Sequence, residues 1–162
     1  TIGEWHINRE LNSIIICHSK KALNAGTDLK EAYNALLKRE KKNRNRKSLR
    51  VWNLKNRFFA EQFAKIKIKH ENDYLYSALY SNTTFQSQEA NIDCIVYPSV
   101  ARKYTGFNYA YKPILIENKS LTLVRAYHVK IEFRFGSYRY PKKITILNTT
   151  TDFNDDTINW EF

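Results

Sequence analysis

Apolar and polar residues alternate at the start of the chain, a pattern that predicts β-structure. Residues 2–7 place Trp5 and Ile7 on one face of a short strand. Residues 11–17 follow, with three consecutive isoleucines in their middle. So many apolar residues predict a central strand that is buried on both faces. The chain is therefore expected to open with two strands.

Three later segments repeat apolar residues at the spacing of a helix. The first helix is predicted to begin near Leu29 and to run out in a basic segment, and the second to span about residues 52–65. A third, short helix is predicted after Asp73, whose side chain can cap it. Residues 82–91 are polar and predict a loop.

The pattern changes to β-structure after Pro113. Residues 114–116 and 121–124 flank a four-residue turn and predict a hairpin. A clean alternation follows from Arg125 onward, and residues 143–147 are expected to return as its partner. Together these elements predict an α+β fold with a mixed or antiparallel sheet and about three helices. No linker divides the chain, so residues 1–162 are expected to form a single domain.

Composition agrees with a packed globule, because 43% of the 162 residues are hydrophobic and 14% are aromatic. No apolar run is long enough to span a membrane, and no secretion signal is present, so a cytoplasmic protein is expected. Cys17 and Cys94 lie in apolar runs far apart, which predicts buried free thiols in a reducing compartment. No pair of cysteines or histidines shows metal-ligand spacing, so no metal is expected.

The net charge of +11 is concentrated in one place. Residues 38–50 hold eight basic side chains and one acid, whereas the tail, residues 148–162, is acidic. The basic segment can attract nucleic acid, an acidic partner or the phosphates of a dinucleotide, or it can be a solvated face. A nucleic-acid-binding module would use Arg44, Arg46 and Lys47 as a phosphate clamp, with exposed tyrosines for stacking. A ribonuclease is less favoured, because the four histidines show no pairing.

Residues 91–113 carry the most specific pattern in the chain. Ile95 and Val96 lead into Tyr97 and Pro98, where the proline must end the strand or lie at its edge. Ser99 is therefore expected just past the end of a strand, followed by a glycine-containing loop. A strand that carries a hydroxyl at its tip beneath such a loop is a common way to build a site. A plain strand, turn and strand is the alternative.

The same residues resemble the C-terminal signature of the RES domain, a family of bacterial toxins named for an arginine, a glutamate and a serine. The similarity extends less specifically over residues 1–130. It implies a fold like that of ADP-ribosyltransferases, an antitoxin protein as partner, and degradation of NAD by cleavage of the nicotinamide–ribose bond. The matching residues run Ile92-Asp93-Cys94-Ile95-Val96-Tyr97-Pro98-Ser99-Val100, then Gly106, Asn108, Ala110, Lys112 and Pro113.

Of the three residues that name the family, Ser99 alone matches, and the arginine and glutamate are expected upstream of Thr1. The resemblance implies that Ser99 positions substrate, that Tyr97 packs beside the site, and that Asn108 binds ligand or pins the loop. Arg102 is expected to meet the pyrophosphate. The activity implied is that of an NAD glycohydrolase, a phosphorylase or an ADP-ribosyltransferase. An inactive, toxin-like scaffold that binds an antitoxin is the remaining alternative.

Overall fold

The computed structural model shows a mixed α+β fold. The chain divides into two compact units. The helical unit comprises Leu11–Lys112, and the sheet unit comprises Thr1–Glu10 with Pro113–Phe162. That residues 1–162 form one domain stays a prediction, because compact units can belong to the same domain. The structure describes residues 1–18, 23–24, 27–65, 70–88, 91–100, 103–134, 137–154 and 157–160.

Two long helices, α1 (Thr27–Asn43) and α2 (Arg46–Phe63), follow each other in the helical unit. The second helix begins six residues before its predicted start, because Asn45 caps it. The backbone of Asn45 is extended, and its side chain accepts a 2.9 Å hydrogen bond from the amide of Ser48. That bond satisfies an amide that the first turn leaves without an intrahelical partner.

The third helical segment starts with a 3₁₀ turn (Glu71–Tyr74) and continues as α3 (Leu75–Gln86). It therefore extends into residues that we predicted to form a loop. The polar side chains there bond to the helix itself: Ser81 Oγ donates to the carbonyl of Ser77, and Thr83 Oγ1 donates to that of Leu79. Hydroxyls that bond back to the preceding turn are compatible with a continuing helix.

A three-stranded sheet completes the helical unit, formed by β2 (Ser13–Ile15), β3 (Cys94–Pro98) and β4 (Phe107–Tyr111). The strand order is β2-β3-β4, with β2 parallel and β4 antiparallel to β3. The prediction that residues 11–17 form the central strand is wrong, because β2 is short and lies at the edge. The central place belongs to β3, where Ile95 is completely buried.

The core of the helical unit consists of two clusters. One joins Cys17 and Leu29 to Ala64 near the end of α2, and the other packs Ala60 against Ile95. Both cysteines are buried and free, as predicted. Burial raises the pKa of each thiol to about 11, which keeps both protonated at neutral pH.

The sheet unit contains β1 (Ile2–Ile7), a short helix α4 (Ile114–Glu117), β5 (Leu121–Arg134) and β6 (Ser137–Thr150). The sheet has the order β1-β5-β6, and both pairs are antiparallel. A small ribbon of β7 (Phe153–Asn154) and β8 (Thr157–Ile158) follows.

The predicted hairpin between residues 114–116 and 121–124 is wrong. Residues 114–117 form α4 instead, because the ring of Pro113 holds its φ at −56°, a value suited to the start of a helix. The hairpin of this unit pairs β5 with β6, and it includes the return strand predicted at residues 143–147. Among the described residues, no helix combines the length and the apolar character needed to cross a membrane.

Candidate functional site

The end of α1 and the start of α2 carry a basic surface that is free of exposed acid. All eight basic side chains between residues 38 and 50 are exposed, whereas Glu40, the one acid, is only 7% exposed. The charge that this segment presents to solvent is therefore positive throughout. The basic surface consists of Lys38, Arg39, Lys41, Lys42, Arg44, Arg46, Lys47 and Arg50.

Glu40 is buried beneath this surface and accepts hydrogen bonds from two of its arginines. Arg44 donates from Nε to one carboxylate oxygen at 2.6 Å, and Arg39 donates to the other from Nε at 3.2 Å and Nη2 at 3.1 Å. The hydrogen bond from Arg44 is the largest cause that lowers the pKa of Glu40, although burial opposes it. The carboxylate therefore stays ionised at neutral pH and fixes the position of both guanidinium groups.

The first turn of α2 is electrostatically unbalanced. It contains Arg46 and Lys47 and no acidic residue. Cations are unfavourable at the positive end of the helix dipole, where anions are favourable. A bound anion would therefore relieve repulsion at this end as well as bind the side chains.

A cavity of about 450 Å³ lies along the first turns of α2, beside the two residues that join it to α1. Its walls carry the cations of Arg44, Lys47 and Lys55 together with the half-buried ring of Trp52. The described residues that line this cavity include no carboxylate. Cations bind phosphates, and an aromatic ring beside them offers a face on which a base can stack. We call this site the basic cavity.

A second, smaller cavity lies at the other end of α2. This aromatic cleft has a volume of about 260 Å³ and lies between the end of α2, helix α3 and the strands β3 and β4. The rings of Phe63 and Tyr97 line it, with their centroids 5.0 Å apart, and Tyr74 contributes a third ring. The walls are therefore suited to a flat, partly apolar group.

Gln62 is the polar group that distinguishes the aromatic cleft. It lines the cleft, and its Oε1 atom is buried and accepts no hydrogen bond from the described residues. Lys65 lies at the same cleft, with Nζ 3.4 Å from Oδ1 of Asp73. A buried acceptor without a donor is costly, so a bound group that supplies one would be favoured.

Ser99 occupies a tightly closed loop after β3. Its side chain is only 6% exposed, its amide donates to the carbonyl of Gly106 at 2.7 Å, and its carbonyl accepts from the amide of Tyr104 at 2.9 Å. The hydroxyl of Tyr104 in turn donates to the carbonyl of Ala64 at 3.3 Å. Ser99 does not belong to the described lining of either cavity.

The other predicted residues fall into two groups. Arg44 and Lys47 line the basic cavity, and Arg46 is the exposed first residue of α2. Tyr97 lines the aromatic cleft and is directly opposite Asn108 in the β3–β4 ladder, so the two side chains share a face. Arg102 lies outside the described residues.

Sequence reasoning missed the roles of Trp52 and Gln62. Trp52 was the first residue of a predicted helix, and the early start of α2 places it nearly two turns into that helix, within the basic cavity. Gln62 belongs to no sequence motif. Its acceptor, which has no donor among the described residues, can be recognised only in the folded chain, where the walls of the cleft come together.

Comparison of the chain with protein-family models, with curated proteins and with solved structures finds no match. Among the described residues, no group of three or more histidine, cysteine or acidic side chains is placed to hold a metal ion. The function is therefore inferred from the geometry of this chain.

Proposed function

We propose that this chain binds the phosphate backbone of single-stranded nucleic acid through the basic surface. The observation that carries the proposal is the basic cavity, where Arg44, Lys47 and Lys55 surround an open space beside Trp52. Phosphates would neutralise these cations and release condensed counterions, and an unpaired base could stack on the indole ring. The buried Glu40 keeps Arg44 in place without exposing negative charge.

The test is the salt dependence of binding. A labelled single strand of ten deoxyadenosines is titrated with the protein at several salt concentrations, and fluorescence anisotropy gives the affinity. Replacing Arg44, Arg46 and Lys47 by glutamine removes three cations, so the slope of log affinity against log salt should become shallower by about 2. Affinity at low salt should fall on the order of tenfold or more.

The matched control removes the same net charge from the sheet unit. Lys119, Lys142 and Lys143 are exposed, and their replacement by glutamine should leave the salt slope within about 0.5 of its original value. Equal effects of the two triple variants would show that only net charge matters, and the proposal would then be wrong.

A second candidate function is the degradation of NAD by a fold like that of ADP-ribosyltransferases, with an antitoxin protein as partner. It is favoured by one observation, that Tyr97 lines the aromatic cleft with Asn108 on the same face of the strands. The buried position of Ser99 weighs against a substrate contact by that side chain.

This candidate is tested by incubating the protein with NAD and measuring the nicotinamide released. If Ser99 positions the substrate, Ser99→Ala should reduce the release by about tenfold or more, the order expected for one well-placed polar group. Unchanged release in the variant would remove Ser99 from the site. A protein that releases no nicotinamide would exclude the activity for this chain.

A further inference from the structure

One stripe of α2 connects the basic cavity to the aromatic cleft. Its members are spaced by four, four, three and four residues, so they lie along one face of the helix. Its first four side chains are exposed, with exposed fractions of 60% at Val51 and 45% at Phe58. The stripe consists of Lys47, Val51, Lys55, Phe58 and Gln62.

The length of this stripe suits a short polymer. Lys47 and Gln62 are fifteen residues apart in one helix, which corresponds to about 22 Å along its axis. At roughly 3.4 Å per nucleotide of a stacked strand, about seven nucleotides cover that distance. A strand whose phosphates lie in the basic cavity can therefore reach the aromatic cleft.

The aromatic cleft has the size and chemistry for one flat ring. Its volume of about 260 Å³ is too small for a drug-sized ligand, and Phe63 and Tyr97 offer ring surfaces for stacking. The Gln62 side chain lines the cleft and its Oε1 has no donor among the described residues, so a rotation of the amide toward the cleft would let it accept from the exocyclic amine of a base. Hydrogen bonding to one edge combined with stacking on one face is the usual recognition of an unpaired base.

We infer that the aromatic cleft binds a single unpaired base that carries an exocyclic amine, at the end of the strand bound by the basic surface. This inference rests on the proposed function, because the basic surface supplies the phosphate contacts. It adds a second base-binding site to the one that Trp52 offers in the basic cavity. Binding there should depend on the base and depend little on salt.

Ala78 allows the cleft to be blocked without disturbing the core. It lines the cleft, and its side chain is exposed, so Ala78→Phe fills the space from the side of α3. Leu79→Phe is the matched control, because Leu79 is also exposed on α3 but is not among the residues that line the cleft. Gln62→Leu removes the acceptor and nearly keeps the volume.

The experiment compares two strands of ten units, one of deoxyadenosines and one with the same backbone and abasic sites. The intact strand should bind more tightly, with about tenfold from Trp52 and about tenfold from the aromatic cleft, the order of the effect of one stacked base at each site. Ala78→Phe and Gln62→Leu should lower that preference by about tenfold and leave the affinity of the abasic strand unchanged. Leu79→Phe should change neither affinity. Equal binding of the two strands, or a preference that Ala78→Phe leaves unchanged, would overturn the inference.

Adenosine, which carries no phosphate, distinguishes failure of the proposed function from failure of this inference. Adenosine at millimolar concentration should shift the ring proton resonances of Phe63, Tyr74 and Tyr97 in the wild-type protein and should not shift them in Ala78→Phe. If no strand binds but these shifts occur, the basic surface is not a nucleic-acid site and the cleft is a base site. If adenosine causes no shifts, the cleft does not bind a base.

Discussion

The loop after β3 and the junction of α1 with α2 are opposite in construction. The loop that carries Ser99 is closed by its own backbone hydrogen bonds and by the hydroxyl of Tyr104, and Ser99 is buried. The helix junction has its one carboxylate buried and all its cations exposed, and two of them, Arg44 and Lys47, line a cavity. The segment with the more distinctive sequence motif is packed as core, and the segment that reads as a plain charge run has the shape of a binding site.

The difference lies in what each region does with its polar groups. The amide of Ser99 donates to the carbonyl of Gly106 and its carbonyl accepts from the amide of Tyr104, so both groups are satisfied within the protein. At the helix junction, Glu40 is satisfied by Arg39 and Arg44, but the other cations of the basic surface have no acid in their own segment. Uncompensated charge of one sign attracts a partner of the other sign.

The largest expected effect tests whether the strand before Ser99 is mainly structural. Ile95 is completely buried in β3, so Ile95→Ala should lower the free energy of unfolding by about 2–4 kcal/mol. Val51→Ala is the control in α2, where the side chain is 60% exposed, and it should cost no more than about 0.5 kcal/mol. Urea denaturation measures both, and a small loss for Ile95→Ala would show that β3 is not packed as core.

A smaller effect is expected at Glu40, which supports the basic surface. Glu40→Gln should lower the free energy of unfolding at pH 7 by about 1–2 kcal/mol, because charged hydrogen bonds from Arg39 and Arg44 are weakened. The lowered pKa of Glu40 means that its contribution is complete above its ordinary value of 4.5 and is lost as the pH falls through the lowered value.

The stability difference between wild type and Glu40→Gln should therefore shrink as the pH falls below 4.5. Denaturation at neutral and at acidic pH measures it. Glu31→Gln, at an exposed position of α1, is the control and should show almost no difference at either pH. A difference that stays constant with pH would mean that the ionised carboxylate does not hold the two arginines.

The smallest effect has the opposite sign and belongs to the aromatic cleft. Gln62→Leu should raise the free energy of unfolding by about 1 kcal/mol, since it removes a buried acceptor that has no partner among the described residues. Gln86→Leu, at the exposed end of α3, should change stability by no more than about 0.5 kcal/mol. A loss of stability in Gln62→Leu would indicate that the amide is already satisfied in the folded chain.

Local patterns predicted the elements whose causes are local. The helical spacing after Leu29, the alternation around Ile131 and the apolar surroundings of the cysteines all reappear in the structure. The α+β class follows from these elements. The basic surface was also predictable from the sequence, where its eight basic residues form one run. All eight are exposed in the structure.

The errors arose where packing or capping overrides the local pattern. Residues 11–17 are apolar enough for a central strand, but the strand there is short, Ser13–Ile15, and it pairs along one side of β3. Pro113 turns an apolar run into α4, and hydroxyls that bond back to the helix extend α3. The aromatic cleft needs residues from α2, α3 and β3 together, which no single stretch of sequence reveals.

Trp52 offers the most direct measurement of the central claim, that the basic cavity binds single-stranded nucleic acid. Replacing Trp5 and Trp160 by phenylalanine leaves Trp52 as the one indole in the chain. Addition of a ten-nucleotide strand should quench its fluorescence at low salt, and added salt should restore it. A strand that binds, as judged by anisotropy, without changing the emission of Trp52 would contradict the claim.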